Sequence, residues 1–403
     1  MQTERRWFTG LALAVCLSNP AAAADDAKSW EGQTVIITTR SGVRLTNMKG
    51  AEEVVLYPTM LVRRAEGDRL FVQHDFAAGW INRDQAVLLA DAEEAFSKRL
   101  KFDPRDADSY FRRATARLVR EDLDGAQKDI DEAIRLDPQV LYFIGRGAVW
   151  QKRREYERAA AEYTEAIRLD PKSADSLYWR GNIRVYQSKF DDAIADFSKA
   201  IELDPEQLHP HWKLALAWER KGDPERAIAL FGAAIEKFPK VPSLHVERGR
   251  LLLAKKDYER AVADFDTVIA QMPSYAWAHS GRGIALLHQK KYASAIAAWD
   301  EAIRLDPKDW ISLNNRAWVR ATCPDEALRD GKRALDEATK ACELSEWKHP
   351  MCLGTLAAAH AELGQWADAV KWQEKAIARA DKNTLDEFRK CLELYKASKP
   401  KRD

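Results

Sequence analysis

Seven prolines, Pro104, Pro138, Pro171, Pro205, Pro239, Pro273 and Pro307, punctuate the chain at intervals of 34, 33, 34, 34, 34 and 34 residues. A fixed period of that length calls for one supersecondary unit, repeated and stacked so that neighbours share a core. The copies can be aligned with one another. Twelve residues before the later prolines stand Ala126, Ala159, Ala193, Ala227, Ala261 and Ala295. Eight before stand Ile130, Tyr163, Phe197, Phe231, Phe265 and Trp299, and five before stand Ala133, Ala166, Ala200, Ala234, Val268 and Ala302. Offsets of four and three place each set on one helix face, a large residue between two small ones. The proline then ends that helix.

A second helix per period is marked by Gly147, Gly181, Gly249 and Gly283, with Ala114, Ala215 and Ala317 as equivalents. Glycine inside a helix costs about 1 kcal/mol relative to alanine, so its recurrence predicts close helix–helix contact. Two antiparallel helices with this period and this small residue resemble the tetratricopeptide repeat, from about Ala107 to Ala380. The resemblance implies a mainly α protein, a right-handed TPR α-solenoid of about eight helix-turn-helix repeats. Within residues 107–382 the repeats start near Ala107, Val140, Ala174, Leu208, Pro242, Ala276, Trp310 and Pro350. The seventh departs from the pattern: Cys323 to Gly331 adds about five residues between its helices, and its closing proline is missing. The stretch from Asn314 to Ile377, with Ala321-Thr322-Cys323-Pro324-Asp325 as one mark, resembles a terminal module of bacterial repeat proteins. Open stacks need caps. Residues 91–106 read as a linker with a capping half-repeat helix, and 383–403 as a C-terminal capping helix with a basic tail.

Residues 29–90 follow a different pattern, of short β-branched and apolar runs. Thr34 to Thr39, Val54 to Tyr57 before Pro58, Met60 to Arg64, Arg69 to Val72, Gly79-Trp80-Ile81 and Gln85 to Leu89 read as strands. Glu66-Gly67-Asp68 is a hairpin loop and Asn82-Arg83-Asp84 a polar turn. The closing Gly79-Trp80-Ile81, turn and apolar strand resemble bacterial SH3-like barrels, which implies a small SH3-like β-barrel ahead of the repeats. In that family Trp80 sits where the closing strands meet, as core or as part of a binding surface.

The first 24 residues read as a signal peptide. Arg5 and Arg6 precede the apolar run Trp7 to Leu17, then Pro20 and Ala21 to Ala24. That run is too short to span a bilayer. The expected product is exported, periplasmic or extracellular, without lipid at Cys16 because Val15 is bulky for the residue before a lipidated cysteine. Arg5-Arg6-Trp7-Phe8 also resembles a twin-arginine signal, so the export route stays open. No later stretch is apolar enough for a membrane span. Lys and Arg number 64 against 63 Asp and Glu, so no global charge bias directs the chain to nucleic acid or anionic lipid.

Six repeats carry an arginine before the small residue of the first helix: Arg113, Arg146, Arg180, Arg248, Arg282 and Arg316. The second helix offers Asp129, Glu162, Asp196, Asp264 and Glu337 at one recurring position, while Arg282 faces Ala298. Where leucine replaces the arginine, at Leu214 and Leu356, the partner position holds Leu230 and Trp372. Exchange of an ionic for an apolar pair predicts contact inside each repeat, so this ladder reads as structural bracing.

No phosphate loop, dinucleotide fingerprint, zinc-protease motif or nucleophile elbow occurs, so neither catalysis nor a cofactor is expected. His211, His245 and His279 recur once per repeat, too far apart for one metal. Cys323, Cys342, Cys352 and Cys391 lack zinc spacing and read as buried thiols, although Cys342 and Cys352 lie at neighbouring helix ends that a disulfide would fit. Trp150, Trp218 and Trp299 fall at core positions.

The family resemblance places binding on the concave face, at the second, fifth, sixth and ninth residues of each first helix. Those positions hold Tyr178, Trp179, Asn182, His209, Trp212, Lys213, Glu247, Arg250, Trp277, Ser280, Asn314, Asn315 and Trp318. Aromatic and amide groups there suit an extended peptide or protein segment, while packing of the same tryptophans on adjacent helices is the alternative. The family's carboxylate clamp of Lys, Asn and Arg over three successive repeats is not matched. The expected function is a non-catalytic protein–protein interaction scaffold of the bacterial cell envelope. The alternative is a cell-wall-associated accessory protein whose SH3-like domain binds peptidoglycan or peptide while the TPR array recruits an envelope enzyme.

Overall fold

Seven helices end two residues before one of the seven prolines, from α1 (Leu89–Phe102) before Pro104 to α13 (Tyr292–Leu305) before Pro307. A residue preceding proline is pushed out of the α region, and Asp137, Asp170 and Asp306 are accordingly extended. The first helices of the repeats are α2 (Ala107–Val119), α4 (Val140–Lys152), α6 (Ala174–Tyr186), α8 (Leu208–Lys221), α10 (Pro242–Ala254), α12 (Ala276–His288), α14 (Trp310–Thr322) and α16 (Pro350–Glu362). Their partners are α3 (Leu123–Leu136), α5 (Tyr156–Leu169), α7 (Phe190–Leu203), α9 (Pro224–Lys237), α11 (Tyr258–Gln271), α13, α15 (Gly331–Leu344) and α17 (Trp366–Ile377). Helix α18 (Leu385–Lys396) follows.

Local signals start these helices. Asp106, Ser173 and Asp309 cap α2, α6 and α14 by accepting hydrogen bonds from Ser109, Ser176 and Ser312 backbone N–H groups. Between paired helices one residue takes the left-handed conformation: Glu121, Arg154, Ser188, Gly222, Lys256, Lys290 and Gly364. The seventh repeat alone departs, because residues 323–330, with a 3-10 turn at Glu326–Leu328, replace the three-residue turn seen at 187–189.

The repeat pattern becomes packing directly. All eighteen aligned second-helix residues, from Ala126, Ile130 and Ala133 to Ala295, Trp299 and Ala302, are at most 1% exposed. A Cβ added at Gly147, Gly181, Gly249 or Gly283 would lie within 2.4–2.9 Å of the ring of Tyr163, Phe197, Phe265 or Trp299 respectively. The recurring glycine is therefore the space into which the large residue of the second helix fits. Gly281 does the same from the following repeat, its Cβ position 2.7 Å from Phe265, so that ring is clasped between two glycine-bearing helices.

The computed structural model describes residues 32–37, 43–46, 52–55, 59–66, 69–74, 77–82 and 85–402. The signal segment 1–24 with Cys16, Pro58, the loop at 67–68 and the turn at 83–84 lie outside the described residues. The described chain forms two compact units that meet between Pro210 and His211, within α8. No described helix is long and apolar enough to cross a membrane.

In the first unit the strands β1 (Thr34–Ile37), β2 (Val43–Thr46), β3 (Glu52–Val55), β4 (Thr59–Glu66), β5 (Arg69–His74), β6 (Ala77–Asn82) and β7 (Ala86–Leu88) form one antiparallel sheet ordered β3-β2-β6-β5-β4-β1-β7. Val35, Ile37, Met60, Val62, Leu70, Val72 and Ile81 bury its core. Strand β2 is an addition to the sequence reading: its Val-Arg-Leu-Thr run is short and carries a charge, which hid it. Leu89 corrects that reading in the other direction, since it opens α1 rather than closing a strand.

Helix α1 is more than a linker. Ala92 and Phe96 stand twelve and eight residues before Pro104, the second-helix positions, and both are 0% exposed. The alternation of β1 turns Ile36 away from Val35 and Ile37, and Ile36 packs with Ala92, Phe96 and Ala116. Arg112, buried and paired with Asp108 at 2.6 Å, donates to the Ile37 carbonyl. The sheet thus covers the face of α1 that a first helix covers in the later repeats.

At the other end of the chain α18 buries Cys391 and Tyr395 against alanines of α14, α16 and α17. Its tail returns across this end, where Arg402 meets Glu362 at 2.7 Å and donates to the Ala321 carbonyl at 3.3 Å. Arg329 of the seventh-repeat insertion reaches the same Glu362 at 2.9 Å.

Candidate functional site

The arginine ladder is internal. Arg113–Asp129, Arg146–Glu162, Arg180–Asp196, Arg248–Asp264 and Arg316–Glu337 pair at 2.6–2.9 Å, each across the two helices of one repeat. Asp129, Asp196 and Asp264 are 2–4% exposed, and a carboxylate that deep requires such donors. A second arginine one turn on joins the same acid in three repeats: Arg117 at 2.9 Å, Arg184 at 2.6 Å and Arg320 on Glu337. At Asp264 that role falls to His245, with Nδ1 2.7 Å from the carboxylate. Leu356 and Trp372 share one apolar cluster, as their substitution for the ion pair required.

The ladder also reaches backwards. Arg113, Arg146, Arg180, Arg282 and Arg316 touch Ser97, Asp131, Thr164, Asp266 and Asp300 on the preceding second helix. Arg282 is therefore not left facing Ala298. It pairs with Asp266 at 2.5 Å in the repeat before, a contact that no single repeat contains.

In the second unit the first helices form a row. Arg250 ties α10 to α8 by bonding Glu219 at 2.7 Å and Glu247 at 3.1 Å. Ser312 donates to Ser280 at 2.8 Å, joining α14 to α12, while α10 packs on α12 and α14 on α16. Of the sequence-derived candidates, Glu247, Ser280 and Asn314 are buried, whereas Trp212, Lys213, Arg250, Asn315 and Trp318 are half-buried. Burial pushes the Glu247 carboxyl above the usual range, Arg250 opposing it. Trp277 is 38% exposed, one edge set against Phe265 at 5.7 Å between ring centroids. Asn314 Nδ2 contacts Asn315 Oδ1 at 3.4 Å, while Asn314 Oδ1 is buried without a hydrogen-bond partner.

The first unit holds a separate aromatic group. Tyr178 meets Trp179 at 5.1 Å and His209 at 5.9 Å, edge to face. Asn182 turns inward and donates to the Tyr178 carbonyl at 3.0 Å. Trp179 stacks on the core Tyr163 of the preceding repeat at 6.5 Å, so it serves the packing between repeats, with its buried indole N–H unanswered.

Two exposed residues were missed. Ile311 and Met351, 42% and 47% exposed, stand at the second position of α14 and α16, as Trp277 does in α12. Three successive repeats thus present a large apolar side chain to solvent at one site. The repeat alignment contains that signal, but a choice weighted towards aromatic and amide residues passed over Ile and Met.

Other side chains separate from the site. Trp299 is fully buried, whereas Trp150 and Trp218 are half-buried beneath cations: Arg153 and Arg158 over one, Lys221 and Arg226 over the other. Their positions near the open ends of first helices let arginine and lysine stems replace core contacts. His211 meets Phe238, His245 meets Asp264 and His279 meets the Pro273 carbonyl, three unrelated settings. Around Trp80, Phe71 pairs at 5.4 Å and Arg69 lies over the ring at 5.1 Å.

Cys342 and Cys352 share a core cluster as free thiols. Burial pushes them up to about 12 and about 11 respectively. Because the thiolate is the nucleophile, both are expected to label with iodoacetamide at pH 8 only after urea unfolding. Peptide mapping by mass spectrometry checks this, and rapid labelling of the native chain contradicts it.

Comparison with known proteins agrees with the geometry. Tetratricopeptide-repeat models match residues 180–242 and 246–310 and, separately, 351–380; a TPR-repeat model matches 152–185. No curated protein matches the chain. Among solved structures it is similar to YrrB, described as a TPR protein with an unusual peptide-binding site, with 23% identity over 46% of this chain and 95% of that one, at a TM-score of 0.40. The yeast Tom70 structure gives 20% identity over 77% of this chain and 58% of that one, TM-score 0.43. Pseudomonas aeruginosa pilF gives 21% over 53% and 99%, TM-score 0.45. The repeats of this chain are tetratricopeptide repeats, folded as the stacked helix pairs of an α-solenoid.

Proposed function

We propose that this protein is a non-catalytic interaction scaffold that takes an extended segment of another protein along the first-helix row of its second unit. The exposed series Trp277, Ile311 and Met351 carries this reading. Three large apolar side chains in register on successive repeats cost solvation unless a partner covers them, and interaction sites use such contiguous patches. Trp212, Trp318 and Asn315, all half-buried, extend the same row with aromatic surface and an amide group. The ladder arginines, which would otherwise compete as a binding strip, are consumed by internal carboxylates.

Action in the cell envelope completes the proposal, supported by the arrangement of residues 1–24 as a cleavable signal. An SH3-like role for residues 29–90 belongs to the same proposal and rests on the closing strands around Trp80. The test is affinity capture from envelope extract with the full chain and with a Trp277→Ala/Ile311→Ala/Met351→Ala variant. The variant is expected to keep the wild-type circular dichroism and urea midpoint while losing at least about 90% of the captured partner, because exposed anchors contribute to binding more than to folding. Equal capture by a folded variant contradicts the proposed face.

A further inference from the structure

The last helix is held differently from those before it. Units of a stacked array contact only their neighbours, so α18 is packed from one side. It buries Cys391 and Tyr395 against alanines of α14, α16 and α17, and the Phe388 ring lies 3.2 Å from the Cβ position of Gly354. Its own ion pairs, Arg389–Asp386, Lys390–Glu387 and Lys396–Glu393, run along the helix. Among the described residues no ion pair joins α18 itself to another helix. Helices shorter than about 12–15 residues are marginal by themselves in water, and α18 has 12. Beneath it, the buried Gln373 donates to the Phe388 carbonyl at 2.9 Å, while its own Oε1 has no hydrogen-bond partner. That unanswered oxygen is a cost which access to water removes.

What fastens the helix is the segment after it. Ser398 takes the left-handed conformation, and the Ser398 and Lys399 N–H groups donate to the Tyr395 and Leu394 carbonyls at 3.0 and 2.9 Å. This end motif turns the chain back. Lys401 then meets Glu387, near the start of α18, at 3.2 Å. Arg402 reaches beyond the helix, to Glu362 of α16 at 2.7 Å and the Ala321 carbonyl of α14 at 3.3 Å. Glu362 is half-buried, with its other oxygen taken by Arg329, so each oxygen holds one guanidinium.

We propose that α18 is a lid on the second unit, opening as one piece, and that residues 399–402 are the strap that keeps it shut. The inference goes beyond the scaffold reading and does not depend on it. Tyr395, Cys391 and Phe388 favour closure, whereas the buried Gln373 oxygen and the one-sided packing oppose it. Local opening belongs to elements with few buried contacts, and the Arg402–Glu362 contact sets how often it occurs here. Opening bares Gly354, Ala357, Ala358 and Ala361, a face of small residues on α16. The strap therefore decides whether this end of the second unit is polar or apolar.

Two thiols separate lid opening from unfolding. Cys391 is buried beneath the lid, and Cys342 is buried in the core that α14, α15 and α16 share. The full chain is treated with N-ethylmaleimide, and peptide mapping by mass spectrometry follows both residues. Where closing outpaces labelling, the rate tracks the open population. Arg402→Ala is expected to label Cys391 about tenfold faster than the wild type, the scale of one charge-assisted contact, with Cys342 unchanged. Raising salt from about 0.05 to about 0.5 M should speed Cys391 labelling in the wild type and not in Arg402→Ala, because salt screens the ion pair. An unchanged Cys391 rate in Arg402→Ala, or a salt effect of equal size in both chains, overturns the strap. Equal acceleration of Cys391 and Cys342 in Arg402→Ala overturns the lid, since the unit then unfolds as a whole.

Discussion

Replacing Asp264 with alanine is expected to destabilise the second unit by about 3–5 kcal/mol, the cost of leaving a buried partner charge uncompensated. Asp264 is 2% exposed and receives two bonds from Arg248, at 2.7 and 2.8 Å, and one contact from His245. Burial by itself raises this carboxyl, but the bonds from Arg248 and His245 outweigh it and hold the group below the usual carboxylate range. A carboxyl depressed in the folded state contributes stability at pH values above its unfolded pKa, and that contribution is lost as pH falls through the folded one. The wild type should therefore lose stability below about pH 4, where an unfolded carboxyl begins to protonate. Asp264→Asn should have a flatter acid limb and a lower plateau at neutral pH. The repeats themselves indicate the rescue: Leu214 with Leu230, and Leu356 with Trp372, occupy these two positions elsewhere in the chain. Arg248→Leu/Asp264→Leu should recover at least about half of the loss, since an apolar pair can replace a buried ion pair. Urea midpoints from pH 3 to pH 8 measure all three effects. A neutral-pH change under about 1 kcal/mol for Asp264→Ala would show that the ladder is not bracing.

Phe265→Ala is expected to cost a comparable 3–5 kcal/mol, as a fully buried aromatic removed from a core. The ring is 0% exposed and fills the space left by Gly249 before it and Gly281 after it. Gly281→Ala should cost about 1–3 kcal/mol through overpacking, because the added Cβ falls 2.7 Å from the ring. The two effects are coupled. In the Phe265→Leu background, Gly281→Ala should be close to neutral, since the atoms it would strike are gone. A double-mutant cycle on the urea midpoints gives the interaction directly. Strict additivity would mean that the glycine is present for some other reason than ring clearance.

The repeated core was legible in advance because each copy states the same constraint. Ala193, Phe197 and Ala200 are one case of a pattern seen six times, and a 34-residue period leaves few other folds. The ion pairs inside each repeat were legible for a related reason: Leu214 and Leu230 change together as Arg180 and Asp196 do. Contacts between repeats were not. Arg282 reaches Asp266, and Arg316 reaches Asp300, because stacking brings the preceding second helix within range, a distance absent from any single copy.

The exposure of the candidate positions was legible in part. Trp277 lay at a predicted position and is exposed, but Trp179 at another lies on Tyr163. Residue type at a groove position does not distinguish these outcomes, since the rotamer and the neighbouring ring decide which face of an indole meets solvent. Ile311 and Met351 acquire meaning only once their exposure is known.

From sequence alone, then, follow the helix pairs, their ends at the prolines, the small-and-large interlock and the internal ion pairs, because all of these are local and repeated. Tertiary structure decided the rest. It set the sheet against α1, with Ile36 on Phe96. It carried five of the six ladder arginines back to the preceding second helix, and it left Lys213 without a carboxylate among the described residues while supplying one to Arg250. Those outcomes depend on which surfaces meet across large sequence separations, and a charge is paired or unpaired only after that meeting has occurred.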